Sequence, residues 1–480
     1  MLFTEPAFLF GFLPLVLALY YATPARGRNL LLVVASVAFY VRDGGAFTWV
    51  ILGSIAVNTT AALWVERWRG TDAGRWLLRG VIALNLLSLV VFKYSGFLVE
   101  NANVLLTRVG VAPLSPPGLL LPIGISFFTF HSISYIVDVH RRHAVAQKGP
   151  VGATLYLLFF PQLIAGPIIR YHDIAAQIAA RTHTSTQFAL GVRRFVIGLA
   201  KKLLIAGIVA GPADAIFAMP AAEMTAAHAW LAVACYTLQI YFDFSGYSDM
   251  AIGLGHMFGF SFPENFRYPY VATSVQDFWK RWHISLSTWF RDYLYIPLGG
   301  SRRRPARVYV NLVTVFFLCG LWHGASWTFV VWGLLHGAFL VVERLGFGAW
   351  LAARPAAVGR AYTLAVVMLA WVFFRADSMA QAGHVLAAMA GFGGSVATPL
   401  PASWFVTTEL WLALGAGVVG STPLMARLSR RLAERVAADD PGVLPGPWAM
   451  VTVGLVALAL GAALTQVALG AFTPFIYFRF

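Results

Sequence analysis

Charge is scarce in this 480-residue chain: Asp, Glu, Lys and Arg together make up 11% of it, against 59% hydrophobic residues. A water-facing surface cannot be built from so few charges, so a soluble globular domain is excluded and the chain is expected to lie mostly in lipid. Acidic residues are the scarcer sign, 20 against 35 Lys and Arg, which leaves a net charge of +15. Nucleic-acid binding does not follow from that excess. The cations fall in pairs and triplets read as loops flanking apolar runs, such as Arg141–Arg142, Lys201–Lys202 and Arg302–Arg304 with Arg307, the arrangement expected at a membrane surface. The two cysteines, Cys235 and Cys319, make neither a disulfide framework nor a metal motif. No Gly-x-Ser-x-Gly elbow, His-Glu-x-x-His motif or phosphate-binding loop is present, so hydrolase, zinc-protease and nucleotide-hydrolase chemistry are not indicated. No His precedes Asp at the spacing used by acyltransferases with a soluble-face site. No metal site is expected.

What the sequence does have is long apolar runs, recurring from Pro6–Thr23 to Trp448–Phe472. They predict an all-α polytopic membrane protein of roughly 10–13 transmembrane or re-entrant helices. The first run lacks a basic leader and a small-residue cleavage site, so it is expected to be a retained span. Arg26 and Arg28 after it are expected on the cytoplasmic side, which puts Met1 outside. The same rule applied to Arg427, Arg430, Arg431 and Arg435 sends the terminal residues out. No linker separates soluble regions, so residues 1–480 are read as a single membrane domain. It divides into N-terminal helices (1–115), a central core (116–345), and C-terminal helices with a terminal tail (346–480).

Ionisable residues inside such runs mark cavities or partners. Four places qualify. "QIYFDFSGYSDM" holds Asp243, Tyr247 and Asp249, with Gly246 expected to break the helix that the aspartates brace. "FFTFHSISYIVDVH" places His131 and Asp138 seven apart, as a bracing pair on one face. "WGLLHG" holds His336, read as packing, and "LWHGASW" holds His323. His323 lies between Gly320 and Gly324, which admit a close approach of ligand or backbone to the imidazole. "FPQLIAGPII" carries Pro161, Gly166 and Pro167 in an apolar run and predicts a re-entrant element. In the stretch 276–295, Phe278, Trp282, Leu286, Trp289 and Tyr293 recur at helical spacing and predict one amphipathic helix carrying His283. A histidine with no nucleophile beside it suits general-base work on a substrate hydroxyl.

Taken together, "QIYFDFSGYSDMAIGLGHMFGFSFPENFRYPY", "FWKRWHISLSTWFRDYLYIPLGG", "GLWHGASWTFVVWGLLHG" and "FPQLIAGPI" resemble the signature blocks of the membrane-bound O-acyltransferase superfamily. The similar branch is the bacterial one acting on alginate, peptidoglycan and teichoic acids. The resemblance implies a helical bundle around a funnel in which an acyl thioester, acetyl-CoA or a similar donor, approaches from the cytoplasm. No bound cofactor is implied. It implies His323 as catalytic base and His283 as its upstream partner, with Trp322, Trp282, Asp243 and Tyr247 binding substrate. The ending "FIYFRF" also resembles that branch and implies Tyr477 as an acyl carrier. The product would be an O-acetylated exported polysaccharide, alginate-like or else peptidoglycan, cellulose or another cell-wall polymer. The implied setting is the bacterial inner membrane, with membrane lipid around the chain and a periplasmic or membrane-anchored esterase-like partner protein. The reading from another class is a transporter or channel without acyl chemistry, which would account for broken helices and buried charge equally well.

Overall fold

The computed structural model describes residues 1–394, 400–428, 446–470 and residue 476. Among them the regular structure is helical throughout. Among the described residues, seven helices are long and apolar enough to cross a membrane, and three shorter apolar ones accompany them. This is a multi-pass membrane protein.

Its contacts gather into two compact units, residues 1–192 with 251–263, and residues 193–250 with 264–480. The first contains α1 (Ala7–Ala22), α2 (Arg28–Gly44), α3 (Phe47–Arg67), α4 (Asp72–Arg108), α5 (Ile125–His140), α6 (Pro150–Leu163) and α7 (Tyr171–Ala179). α5 is its centre, with every side chain from Phe127 to Val139 buried. α3 and α4 both pack on α5 and are tied to each other by a reciprocal amide pair. Asn58 donates to Asn85 at 3.1 Å and Asn85 donates back at 2.8 Å, both buried. Such interhelical bonds in lipid are worth about 0.6 kcal/mol on average.

The pairing expected between His131 and Asp138 does not form. Asp138 instead accepts from His172 at 2.8 Å, while His131 lies against the Tyr156 ring at 5.6 Å. The broken run behaves as its prolines dictate. Helix ends at Leu163, and the chain continues without regular structure through Gly166 to Arg170, buried up to Ile169.

The second unit is built around α8 (Ser185–Phe217) from residue 193 on and α9 (Ala226–Met257) up to residue 250. α9 runs unbroken through Gly246, contrary to the break expected there. The glycine serves a close helix approach instead: a Cβ on Gly246 would meet the Gly198 carbonyl at 2.7 Å, and one on Gly198 would meet the Gly246 carbonyl at 2.5 Å. That contact lets charged side chains bridge the same pair of helices. Lys201 reaches Asp249 at 2.7 Å, Arg194 reaches Asp249 at 2.9 Å, and buried Lys202 pairs with Asp243. Lys201 and Lys202 therefore lie within a helix, not in the flanking loop their sequence suggests. A buried cation is tolerated only with such a partner.

The remaining helices are α10 (Val275–Trp279), α11 (Ile284–Phe290), α12 (Pro305–His323), α13 (Trp327–Ala352), α14 (Ala356–Arg375), α15 (Met379–Met389), α16 (Thr408–Gly420) and α17 (Gly446–Ala468). α12 and α13 form a tight antiparallel hairpin. A Cβ on Gly320 would lie 2.3 Å from the Phe329 carbonyl, and one on Gly333 would lie 2.3 Å from the Phe316 carbonyl.

Candidate active site

The single amphipathic helix expected over 276–295 is two helices. Between them His283 adopts left-handed backbone angles, φ 44° and ψ 55°, a conformation that costs a non-glycine residue roughly 1–2 kcal/mol. Asn265 holds it there. The Asn265 carbonyl accepts from the Ile284 N–H at 2.9 Å. Its side-chain Oδ1 accepts from the Ser285 hydroxyl at 2.9 Å, from the Ser285 N–H at 3.3 Å, and from His283 Nδ1 at 3.0 Å. An oxygen that only accepts requires the proton on Nδ1, which leaves the Nε2 lone pair of His283 as an acceptor.

His283 is fully buried, and Nε2 meets no hydrogen-bond partner among the described residues. The Phe244 ring covers the imidazole edge-on at 4.6 Å. His283 lies outside the candidate spans, and its burial holds the imidazole down to about 3, so it is neutral at physiological pH.

His323 is the last residue of α12 and only 3% exposed. Its ring is enclosed by Trp322 at 4.8 Å, Trp332 at 4.9 Å and Phe374 at 5.2 Å. Trp322 also meets the His283 ring at 6.2 Å, so both imidazoles contact the same indole. The close backbone approach expected at these glycines is present, and α13 supplies it. Gly320 admits the α13 backbone, and a Cβ on Gly324 would strike the Phe329 ring at 2.2 Å.

His336 belongs to the same aromatic wall, touching Trp332 at 5.1 Å and accepting from Trp279 Nε1 at 3.3 Å. That matches its reading as a packing residue. Trp282 packs among Phe266, Phe278 and Trp371, with ring centroids 5.1, 5.6 and 5.0 Å away. Asp243 is bound to Lys202 through one oxygen, and through the other accepts from the Ile476 N–H at 2.9 Å. Tyr247 lies buried four residues further along α9. Tyr477 lies outside the described residues.

Beside the histidines is a cavity of about 220 Å³ whose lining includes Trp279, Lys280, Phe290, Arg291, Phe316 and Cys319. Neither His283 nor His323 lines it, although Cys319 is one turn before His323 and Leu286, also in the lining, is one turn after His283. Sequence reasoning passed over Asn265, Phe374 and Trp332. Asn265 stands inside one of the signature blocks, but nothing local marks it as the residue that fixes His283.

Two buried imidazoles that touch one indole and are enclosed by aromatics form an arrangement that can hold and move a proton away from water. Residues 120–380 match the family described as MBOAT, membrane-bound O-acyltransferase. The chain is 40% identical to the "Probable alginate O-acetylase AlgI" of Azotobacter vinelandii, over 100% of both chains. It is 38% identical to the "Peptidoglycan O-acetyltransferase" of Helicobacter pylori, over 82% of this chain and 80% of the relative. The "Teichoic acid D-alanyltransferase" of Bacillus subtilis is 30% identical over 48% of this chain and 60% of its own length. The chain belongs to the membrane-bound O-acyltransferase family and is an O-acyltransferase. Its activity is therefore acyl transfer, not transport without covalent chemistry.

Proposed function

We propose that the chain moves acetyl groups from a cytoplasmic acetyl thioester, acetyl-CoA or a similar donor, to an exported polysaccharide of alginate type, from a bacterial inner membrane. The observation that carries the reading is that His283 and His323 both contact the Trp322 ring, with an acceptor nitrogen of His283 held open. The name of the full-length relative in A. vinelandii supports alginate as the polymer, and the peptidoglycan relative keeps cell-wall glycan as the second acceptor.

In this reading His323 takes the proton of an attacking hydroxyl. The oxygen bonds to the thioester carbonyl carbon, and the carbon–sulfur bond breaks as the tetrahedral intermediate collapses. The departing thiolate recovers the proton from the imidazolium. His283 accepts a hydrogen bond through Nε2 and orients the reacting hydroxyl. Lys280 and Arg291 in the neighbouring cavity offer cations to a phosphate-bearing donor.

Tyr477 is the proposed first acceptor, forming a phenyl ester that a periplasmic or membrane-anchored esterase-like partner then unloads onto the polymer. The tether of its preceding residue, Ile476, to Asp243 supports a tail anchored within the second unit. Mass spectrometry of cell-surface polysaccharide tests the reading. His323→Ala should abolish acetylation at normal membrane protein level, and Tyr477→Phe should do the same. A Tyr477→Phe strain that acetylates normally removes the carrier step, and a His323→Ala strain that does so removes the base.

A further inference from the structure

In the first unit, the C-terminus of α5 brings together three side chains of the kinds that bind transition metals. α5 ends in a Schellman turn: the Arg142 N–H donates to the Val139 carbonyl at 3.2 Å and the His143 N–H to the Asp138 carbonyl at 2.9 Å, with Arg142 left-handed at φ 66°. That turn folds His143 back over Asp138. α7 brings in His172 from the other side, and its backbone N–H donates to Asp138 Oδ2 at 3.0 Å.

The ligand atoms of Asp138, His143 and His172 all lie within 4.8 Å of one another. Asp138 Oδ2 is 2.8 Å from His172 Nδ1, and Asp138 Oδ1 is 3.8 Å from His143 Nδ1. A tetrahedral ion with bonds of about 2.0–2.1 Å holds neighbouring donors about 3.3 Å apart, and these two separations bracket that value. The far nitrogen of His172 is 3.4 Å from Asp173 Oδ1. Asp173 is in turn gripped by Arg170 at 2.8 and 2.9 Å. A ligating histidine whose second nitrogen is held by a carboxylate is the usual arrangement behind a metal.

We propose that Asp138, His143 and His172 bind a divalent transition metal of the zinc class. The site has two imidazoles and one carboxylate, with a fourth position open to water. Asp138 is fully buried and His143 is half-exposed, 51% for its side chain, so the ion enters from the His143 side. Bound there, it locks the turn 141–149 and the start of α7 onto α5. The site does not depend on the acyl-transfer reading, and its ligands come from two segments, the end of α5 with its turn and the start of α7.

The test uses the full chain, purified in detergent and stripped with a chelator. Co²⁺ should bind with one equivalent that gives the visible absorption of a four- or five-coordinate ion, displaced by Zn²⁺, and Zn²⁺ should raise the thermal unfolding midpoint. His143→Ala, which removes a half-exposed side chain, should leave the metal-free midpoint unchanged, weaken Co²⁺ binding at least tenfold and abolish the Zn²⁺-dependent shift. His172→Gln should lose the absorption as well. Absence of the Co²⁺ band in the unsubstituted protein overturns the proposal. So does an equal Zn²⁺ shift in the protein and in His143→Ala, which would put the ion on other histidines.

Discussion

Asp243 accepts a hydrogen bond at 2.9 Å from the backbone N–H of Ile476, a residue 233 positions further along the chain. Its other oxygen is held by buried Lys202. One carboxylate thus ties α8, α9 and the end of the chain together. Its orientation is fixed on both sides, by Lys202 and by the Ile476 N–H.

Removing only the carboxylate should be costly, because Lys202 is left buried without its counter-charge, a change worth about 3–5 kcal/mol. Asp243→Leu alone is therefore expected to fall in membrane level. The double variant Asp243→Leu with Lys202→Met replaces the pair by apolar groups and should recover that level, but it cannot recover the tether to Ile476. Its expected signature is normal insertion, a C-terminus more readily trimmed by carboxypeptidase, and reduced polymer acetylation. Full acetylation by the double variant would show that the tether does not matter.

Asn265 gives a second separation of structure from chemistry. Asn265→Ala removes the acceptor that fixes the proton on His283 Nδ1 and leaves the Ser285 N–H without its partner. Turnover should fall by about tenfold or more, whereas Asn265→Asp keeps an acceptor in place and should restore much of it. The readout is kcat against KM with a soluble thioester donor. A merely structural asparagine would lower the amount of enzyme and leave kcat per molecule unchanged in both variants.

Parts of this site are legible in the sequence, for identifiable reasons. His323 stands out because a lone imidazole in an apolar run has no other polar residue to explain it. The helical spacing of Phe278, Trp282, Leu286 and Trp289 correctly marks a buried face, and all four are buried. Periodicity does not report φ, however, so the turn at His283 that cuts the expected helix in two is invisible to it. Lys202 reads as a loop cation because Lys201 stands beside it. Its burial depends on Asp243, 41 positions away, and Asn265 acts on His283 across 18. Local pattern fails where a contact between distant segments supplies the energy, and that is where functional groups collect.

Burial of His283 also predicts a pH dependence. Its folded value is about 3, against about 6.5 for an exposed imidazole, so below about 6.5 the unfolded chain binds a proton that the folded chain refuses. The stabilisation is complete above that pH and is lost as pH falls from 6.5 toward 3. The unfolding midpoint of the purified protein should therefore drop on acidification through this window. His283→Asn should make the drop shallower, by up to about 1.4 kcal/mol per pH unit. Identical slopes for the two proteins would refute the assignment. Because His283 stays neutral throughout, an acid limb in the rate profile should survive in His283→Asn and belong to another group.

The α12–α13 hairpin makes the last prediction, in which position outweighs residue type. Gly320→Ala places a methyl 2.3 Å from the Phe329 carbonyl, and backbone on both sides cannot give way, so the helices must separate. The stability cost is expected at about 1–3 kcal/mol. Gly80→Ala in α4 meets nothing within 4 Å and should be neutral or gain up to about 1 kcal/mol from helix propensity. Activity should discriminate more sharply than stability. His323 is three residues beyond Gly320 on the same helix, and its ring packs on Trp332 from α13 at 4.9 Å. Separating the hairpin shifts the imidazole relative to its aromatic wall, so Gly320→Ala should lose kcat beyond what its remaining folded fraction explains, while Gly80→Ala should keep full turnover. Equal turnover per folded molecule in the two variants would mean that the hairpin does not position His323.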